Sequence, residues 1–527
     1  MRQNHFTTGM LIAAVLVCLA GSMVSGKSLK APPGLFKDLN DEIVADAIII
    51  NGKQLFIDDY IIEELKGAEK VLNQPTKDPA NPLIVPDRPW EPPGLNRGAV
   101  MYDKQEKIYK MWYVFYSDAT ERQFLCYATS PDGIAWQKPL INQKDRSNVI
   151  PGLSASNPPC VFKDPAETAP RRRYKMLYGD NPDRTAKTYS TNAAYSPDGI
   201  HWTPEPSNPI IPFSDTLSCP FRDPRTRRYV AYLRYGPPNT RIVSRIESRD
   251  FIHWSPKVTI FSTRTKMDRP FATIHYGMKI MPYEGIYLGL LEAYHGETIQ
   301  PIPKDKEPWM DKTNEQLVFS RNGLTWLRVG RRGAIPHGEL NKDLDWKKVA
   351  EQATFIPYGR HKKDWDWGSV YSFQPPLVVD DEIRIYYLGH TGRHWASYHG
   401  DKRTSGIGLA RLRLDGFVSI NAAAAGTMTT KKFVFIGDTL EVNANAKGGS
   451  IVVEALGADG KVIEGFSKTD CMPITTDNIQ HVLKWKDKDD CHLIQARPIR
   501  LRFHLKKAKL YSFTPCIRHK HYVQSYD

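Results

Sequence analysis

The chain has 527 residues and a formal net charge of +14, with 41% hydrophobic and 25% charged residues. That balance excludes a disordered chain and a helical integral membrane protein. Twelve Trp, 25 Tyr and 20 Phe, alongside 39 Pro and 36 Gly, suit many short strands joined by turns and exclude an all-helical fold.

The first residues read as an export signal. Arg2 and His5 precede an apolar run from Met10 to Gly21, and Val24-Ser25-Gly26 offers a small-residue cleavage site before Lys27. The run is too short to span a bilayer. A secreted or periplasmic protein is therefore expected. Loss of residues 1–26 removes one cation, Arg2, and no acid, leaving +13. The basic clusters, Arg171-Arg172-Arg173, Arg225 with Arg227-Arg228, and Arg331-Arg332, are scattered and accompany no nucleic-acid-binding signature. Next comes a hairpin signal: Ala47-Ile-Ile-Ile50, a turn at Asn51-Gly52, and Leu55-Phe-Ile57.

Four segments then end alike: Ser130-Pro-Asp-Gly-Ile-Ala-Trp136, Ser196-Pro-Asp-Gly-Ile-His-Trp202, Ser248-Arg-Asp-Phe-Ile-His-Trp254 and Ser320-Arg-Asn-Gly-Leu-Thr-Trp326. Their starts lie 66, 52 and 72 residues apart. The Asp or Asn side chain caps a turn, and the Trp packs between neighbouring sheets. Upstream of each lies a strand, a polar turn and a second strand, as in Ala99–Asp103 with Tyr109–Tyr113, Cys160–Asp164 with Tyr174–Tyr178, and Cys219–Asp223 with Tyr229–Tyr232. Tyr276–Tyr283 with Ile286–Gly289 gives a fourth copy; Pro376–Asp380 with Ile383–Tyr387 gives a fifth without the Trp ending. Five repeats of about four strands predict a five-bladed β-propeller. Beyond it, alternating stretches such as Ser450–Glu454 and Ile499–His504, with turns at Gly448-Gly449 and Asp459-Gly460, predict a β-sandwich. The expected organisation is a signal over 1–26, an extension with the hairpin over 27–79, the propeller over 80–415, the sandwich over 416–514 and a tail over 515–527.

Six cysteines remain after the signal: Cys126, Cys160, Cys219, Cys471, Cys491 and Cys516. No Cys-x-x-Cys pair occurs, which argues against a zinc or redox motif. Cys126, Cys160 and Cys219 sit in apolar strands as buried thiols, and Cys471 with Cys491 is the expected disulfide.

A five-bladed propeller with Ser-x-Asp-x-x-x-Trp blade endings, followed by a β-sandwich, resembles the glycoside hydrolases of families 32 and 43. The resemblance covers most of residues 80–513 and lies in the fold. It implies a pair of carboxyl groups at the channel, one to protonate the leaving oxygen and one to act as base or nucleophile. It carries over no catalytic residue by motif. Asn96 stands near the position of the first-blade Asp, and Ser218 replaces the Glu before Cys219-Pro220.

Loops on the channel side supply the candidates. Glu91, Asp215, Asp268, Glu292 and Asp366 are the candidate catalytic carboxyls. Glu292 is the first choice for the acid, with Asp268 as its alternative and Asp215 or Glu91 as partner. Arg97, Arg269, His275, His295, Trp367, Tyr371, His390 and Arg393 are the candidate substrate-binding residues, with Trp90, Trp365 and Trp395 as further stacking platforms. Hairpin-turn acids such as Asp103, Asp164, Asp223 and Glu284 fall on the far face as structural groups. No metal-ligand spacing, phosphate loop or nucleophile elbow is present, so neither metal nor cofactor is expected. The expected function is an exported glycosidase acting on a polysaccharide or oligosaccharide, anionic in view of the charge and Arg97, Arg269 and Arg393. The alternatives are a non-catalytic glycan-binding propeller and a protein-interaction scaffold.

Overall fold

The computed structural model describes residues 47–518 apart from 92–93, 118–121, 155–157, 181–189, 213, 236–240, 262–273, 297–309, 331–332, 336–352, 397–399 and 487–488. The expected signal peptide and most of the expected tail lie outside the described residues. No described helix is long and apolar enough to cross a membrane. The chain divides into two compact units, one of residues up to Asn73 with those from Asp415 onward, the other of Gln74–Gly330 with Ile335–Leu414.

The second unit is a five-bladed β-propeller. Blade one is Gly94–Asp103, Ile108–Ser117, Arg122–Ser130 and Val149–Ser154; blade two begins with Cys160–Lys163, Tyr174–Asp180 and Ser190–Ser196. Blade three is Asp215–Arg222, Tyr229–Tyr235, Ile242–Ser248 and Val258–Phe261. Blade four begins with Ile274–Tyr283, Ile286–His295 and Lys312–Ser320, and blade five contains Ser369–Ser372, Leu377–Val379, Glu382–His390 and Ser405–Arg413.

The repeated ending is a local hydrogen-bond unit. Ser196 Oγ accepts the Gly199 N–H at 2.8 Å, while Asp198 Oδ1 accepts the Ile200 and His201 N–H groups, both at 2.8 Å. The same bonds form at Ser130 with Asp132, Ser248 with Asp250, and Ser320 with Asn322. Three of the four turns place Gly where φ is positive, as at Gly199 (+85°) and Gly323 (+74°). Blade three puts Phe251 there at +71°, and its ring is wholly buried against Phe162, Tyr195, Tyr229 and Trp254. The strain of a left-handed L-residue, about 1–2 kcal/mol, is offset by burial of an aromatic ring.

Three of these turns are also stitched to the preceding blade. Trp112 of blade one donates to the Gly199 carbonyl at 2.6 Å, Tyr232 of blade three to that of Gly323 at 2.8 Å, and Tyr386 of blade five to that of Gly133 at 2.8 Å. Trp136 and Trp326 meet Tyr386 and Tyr232 edge-on, so these motif tryptophans do pack between blades. At the same end of the blades, a buried Asp in the first hairpin turn of three blades accepts a Tyr hydroxyl from the next blade. Tyr174 donates to Asp103, Tyr229 to Asp164 at 2.5 Å, and Tyr287 to Asp223 at 2.9 Å. The fourth blade has Glu284 in its turn and the fifth has Ile383 near the start of its second strand, so this bond is not repeated there.

The ring is closed by residues N-terminal to the expected propeller. Thr76–Lys77 pairs with Ala410 and Arg411 as the outer strand of blade five, and Asn81 and Leu83 continue along Leu409 and Ile407.

The other unit is the β-sandwich, a ten-stranded network organised around one long strand, Ile499–Cys516. That strand pairs with Val418–Thr430, Thr439–Asn445 and Ser450–Gly457, and its alternate residues Leu501, Phe503 and Leu505 are buried. Phe433, Phe435, Phe503 and Phe513 form an aromatic core with Phe56. The expected N-terminal hairpin is corrected here. Ile48–Ile50 runs parallel to Phe433–Phe435, and Gln54–Leu55 pairs with Ser512 and Phe513, so the two strands join the sandwich without pairing with each other. Ile62–Lys66 and Glu69–Leu72 also join it, along Val418–Thr430. The expected Cys471–Cys491 disulfide is likewise corrected, since all six described cysteines are free. Cys471 lies beside Val453, and Cys491 stands in the turn whose N–H reaches Asp438.

Candidate active site

The second and third strands of blade four, Ile286–His295 and Lys312–Ser320, are buried along their whole length. Within them Glu292 and Glu315 stand directly opposite each other, the closest kind of side-chain neighbour an antiparallel pair allows. Lys279, from the first strand of the same blade, reaches both: its ammonium donates to Glu292 Oε1 and lies 3.5 Å from Glu315 Oε1. Arg97 of blade one brings its Nε to 3.3 Å from Glu292 Oε1, and the Ser372 N–H of blade five donates to Glu315 Oε1 at 2.5 Å. All three side chains in blade four are fully buried.

The two carboxyls differ in surroundings. Glu292 lies between two cations. Burial raises the Glu315 pKa above the ordinary carboxyl value, against the lowering effect of Lys279. Oε2 of each glutamate is buried with no hydrogen-bond partner among the described residues, as is Nε of Arg97. Each such orphan costs about 1–3 kcal/mol unless something else engages it.

Beside the pair stands an aromatic and imidazole hub. The Arg97 guanidinium lies 4.9 Å from the centre of the Tyr371 ring. The Tyr371 hydroxyl sits 3.0 Å from Thr313 Oγ1 and 3.2 Å from His394 Nδ1; the other imidazole nitrogen lies 2.9 Å from the Tyr276 hydroxyl. Arg234 and Arg241 face the Tyr276 ring at 5.1 and 4.4 Å. Arg403 reaches His390 Nε2 at 3.0 Å and donates to the His394 carbonyl at 3.2 Å. Burial, reinforced by Arg403 and Arg241, depresses the His394 pKa to about 3, and burial likewise holds His390 well below the usual range. Both imidazoles are neutral at physiological pH. Trp395, 47% exposed, sets its ring edge-on to His394.

Three of the expected residues, Glu292, Arg97 and Tyr371, meet in this cluster, and His390 borders it. Asp268 and Arg269 lie outside the described residues, and of Asp215 only the backbone is described, opposite Arg234. The remaining expected residues have other work. Glu91 accepts from Lys138 at 2.5 Å, from the Tyr113 hydroxyl at 2.8 Å and from the Asp87 N–H at 3.1 Å, which occupies both oxygens. Asp366 accepts from Lys77 at 2.5 Å and Tyr387 at 2.9 Å, and so fastens the closing strand of the ring. Arg393 is bonded to Asp401 at 2.8 and 3.2 Å. His275 packs on Phe261 and lies 3.1 Å from Arg328, while His295 lies 3.2 Å from Asn314. Trp367 packs edge-on against His361 and carries the Lys312 ammonium over its ring. Trp90 donates to Asn148, and Trp365 stacks on Tyr387 within blade five.

Glu315, Lys279 and Arg403 are the additions from the structure. Loop acids drew the sequence reading, whereas Glu315 lies inside a strand. The polar run Lys312-Thr-Asn-Glu-Gln316 directly before Leu317-Val-Phe319 is the signal that marks it. Asn96 accepts the Arg97 N–H, and Ser218 lies 3.2 Å from Thr191 Oγ1. Among the described residues no group of three or more His, Cys, Asp or Glu is placed to hold a metal ion.

No protein-family model matches this chain, and no curated protein does. The solved structures it matches include glycoside hydrolases. One described simply as a glycoside hydrolase is 13% identical, covers 72% of this chain and 96% of its own, and gives a TM-score of 0.42. A thermostable family-43 glycoside hydrolase is 13% identical, with 61% and 89% covered and a TM-score of 0.38. A family-32 β-fructofuranosidase from Bombyx mori is 11% identical, with 86% and 95% covered and a TM-score of 0.36.

Proposed function

We propose that this protein is an exported glycoside hydrolase whose acid and carboxylate are Glu315 and Glu292. The observation that carries the reading is the Glu292–Glu315 cross-strand pair, with unlike surroundings and one unpartnered oxygen on each member. Glycosidases need such an asymmetry: one carboxyl that keeps its proton and one that carries charge. Glu315, whose proton is held by burial, donates it to the glycosidic oxygen as the bond to the anomeric carbon breaks. Glu292, held between Lys279 and Arg97, supplies the carboxylate. Directly opposed residues on antiparallel strands have Cβ atoms about 4.5–5.5 Å apart. That closeness favours the double-displacement arrangement, in which carboxyls stand about 5–5.5 Å apart and the second attacks the anomeric carbon before water releases the sugar.

A second reading, a glycan-binding propeller without hydrolysis, is favoured by the Lys279 clamp, because a fully buried ammonium shared by two glutamates is also the pattern of a structural ion triad. A reducing-end assay over a panel of polysaccharides, run with wild type, Glu315→Gln and Glu292→Gln, separates the two. Hydrolysis by wild type that both substitutions abolish supports the enzyme. Binding of a glycan that no condition cleaves, and that survives both substitutions, supports the lectin-like reading.

A further inference from the structure

The second question is what kind of sugar the site takes. We infer that the substrate carries an anionic substituent, a carboxylate or a sulfate, held by Arg97 and Arg403 on the two sides of the Tyr371–His394 hub. The inference rests on the reading that this end of the propeller takes a glycan.

Arg97 is buried, yet its Nε makes no hydrogen bond among the described residues; its neighbours are the Tyr371 ring and one oxygen of a glutamate that Lys279 already engages. Arg403 is exposed, and the partners that fix it are neutral: the His390 ring nitrogen and the His394 carbonyl. Those contacts orient the Arg403 fork without neutralising it. The groups between the two arginines, Tyr371, His390 and His394, add no negative charge, since both imidazoles are held neutral and burial keeps the Tyr371 phenol protonated. Arg234 and Arg241 stand on the far side of the hub, against Tyr276, and add positive potential. His390 Nδ1 is buried without a partner among the described residues.

A guanidinium fixed by neutral partners, as that of Arg403 is, favours a planar or tetrahedral oxyanion, which accepts two parallel N–H bonds. The half-exposed Trp395 beside His394 offers the apolar face that a sugar ring needs. A neutral glycan would leave Arg403 without a counter-charge at the bound site, whereas Arg97 already faces Glu292.

The test is binding by isothermal titration to two matched pairs of oligosaccharides of equal length: a sulfated galactan and its desulfated form, and an oligogalacturonate and its methyl ester. Full-length wild type, Arg403→Gln and Arg403→Lys are compared. The expected result is at least tenfold tighter binding of the charged member of one pair, weakening with added salt. Which pair responds tells sulfate from carboxylate. Arg403→Gln removes most of that preference, whereas Arg403→Lys retains part of it. Equal affinity within both pairs, no binding of either charged member, or an unchanged preference in Arg403→Gln overturns the inference. Cleavage of a neutral glycan that depends on Glu315, with no charge preference, overturns the anionic site alone. Tight, Arg403-dependent binding without cleavage supports the anionic site and overturns the hydrolase.

Discussion

Replacing Glu315 by Gln tests the site through stability as well as activity. The substitution keeps Oε1 as acceptor for the Ser372 N–H at 2.5 Å and puts an amide where Oε2 had no partner, so it leaves the count of satisfied groups nearly unchanged. What it removes is a carboxyl whose pKa is raised by burial from an ordinary value of 4.5. The sign follows from proton counting. Between the ordinary and the raised value the folded state holds a proton that the unfolded chain has released, so wild-type stability falls as pH rises through that window. The Gln variant has no such group. Its stability relative to wild type should therefore climb with pH from just above 4.5, by up to about 1.4 kcal/mol per pH unit, until the raised value is passed. Urea denaturation from about pH 4 to about pH 7 reads this directly, by linear extrapolation at each pH. Hydrolysis should fall roughly 10²–10⁴-fold, the usual worth of a positioned general acid. A stability difference flat across that pH range, or a variant that hydrolyses as fast as wild type, would refute the assignment of the proton to Glu315.

Four further outcomes are expected. Tyr287→Phe and Tyr229→Phe each remove a hydroxyl bonded to a buried carboxylate and should cost about 1.5–3 kcal/mol in urea denaturation. Lys77→Met leaves the buried Asp366 with Tyr387 alone and should cost about 3 kcal/mol; hydrogen exchange should show Ala410 and Arg411 losing protection before the other blades. Protein without residues 1–26, denatured without reductant, should titrate six thiols, and the folded protein should expose Cys516 first. Cell fractionation should find the chain outside the cytoplasm and shortened near Gly26, and full-length chain in the cytoplasm would refute the export reading.

The propeller was legible because its grammar is local. A Ser, an Asp and a Gly within four residues fix a turn by their own hydrogen bonds, so four copies in the chain announce four blades. Long-range partners leave no such mark. Nothing around Asp78 says that its carboxylate meets Arg411, 333 residues on. Asn51-Gly52 signals a hairpin, yet the flanking strands find better partners in Phe433–Phe435 and the long C-terminal strand. Cys471 and Cys491 share a region of sequence, but a disulfide needs a specific approach of two Cα atoms that spacing does not supply. The candidate site was half legible. Glu292, Arg97 and Tyr371 were picked out by the blade repeat, whereas Lys279 and Glu315 lie within buried strands, where a charge is identified only by the partner across from it.

The order of synthesis gives the closing strand a second meaning. Thr76–Lys77 leaves the ribosome before any blade exists, and its partners Ala410 and Arg411 arrive after four blades have been made. Blades two, three and four can each dock on the one before through a tyrosine bonded to a buried Asp. The seam between the last blade and the first has to wait for the chain to come full circle. Until then the nascent ring carries a bare hydrogen-bonding edge at Ser405–Arg413 and an unfilled socket for Lys77 at Asp366. That interval is when the chain is most open to misassociation, and a late-closing seam of high contact order is where a destabilising substitution shows first as lost yield rather than as lost activity.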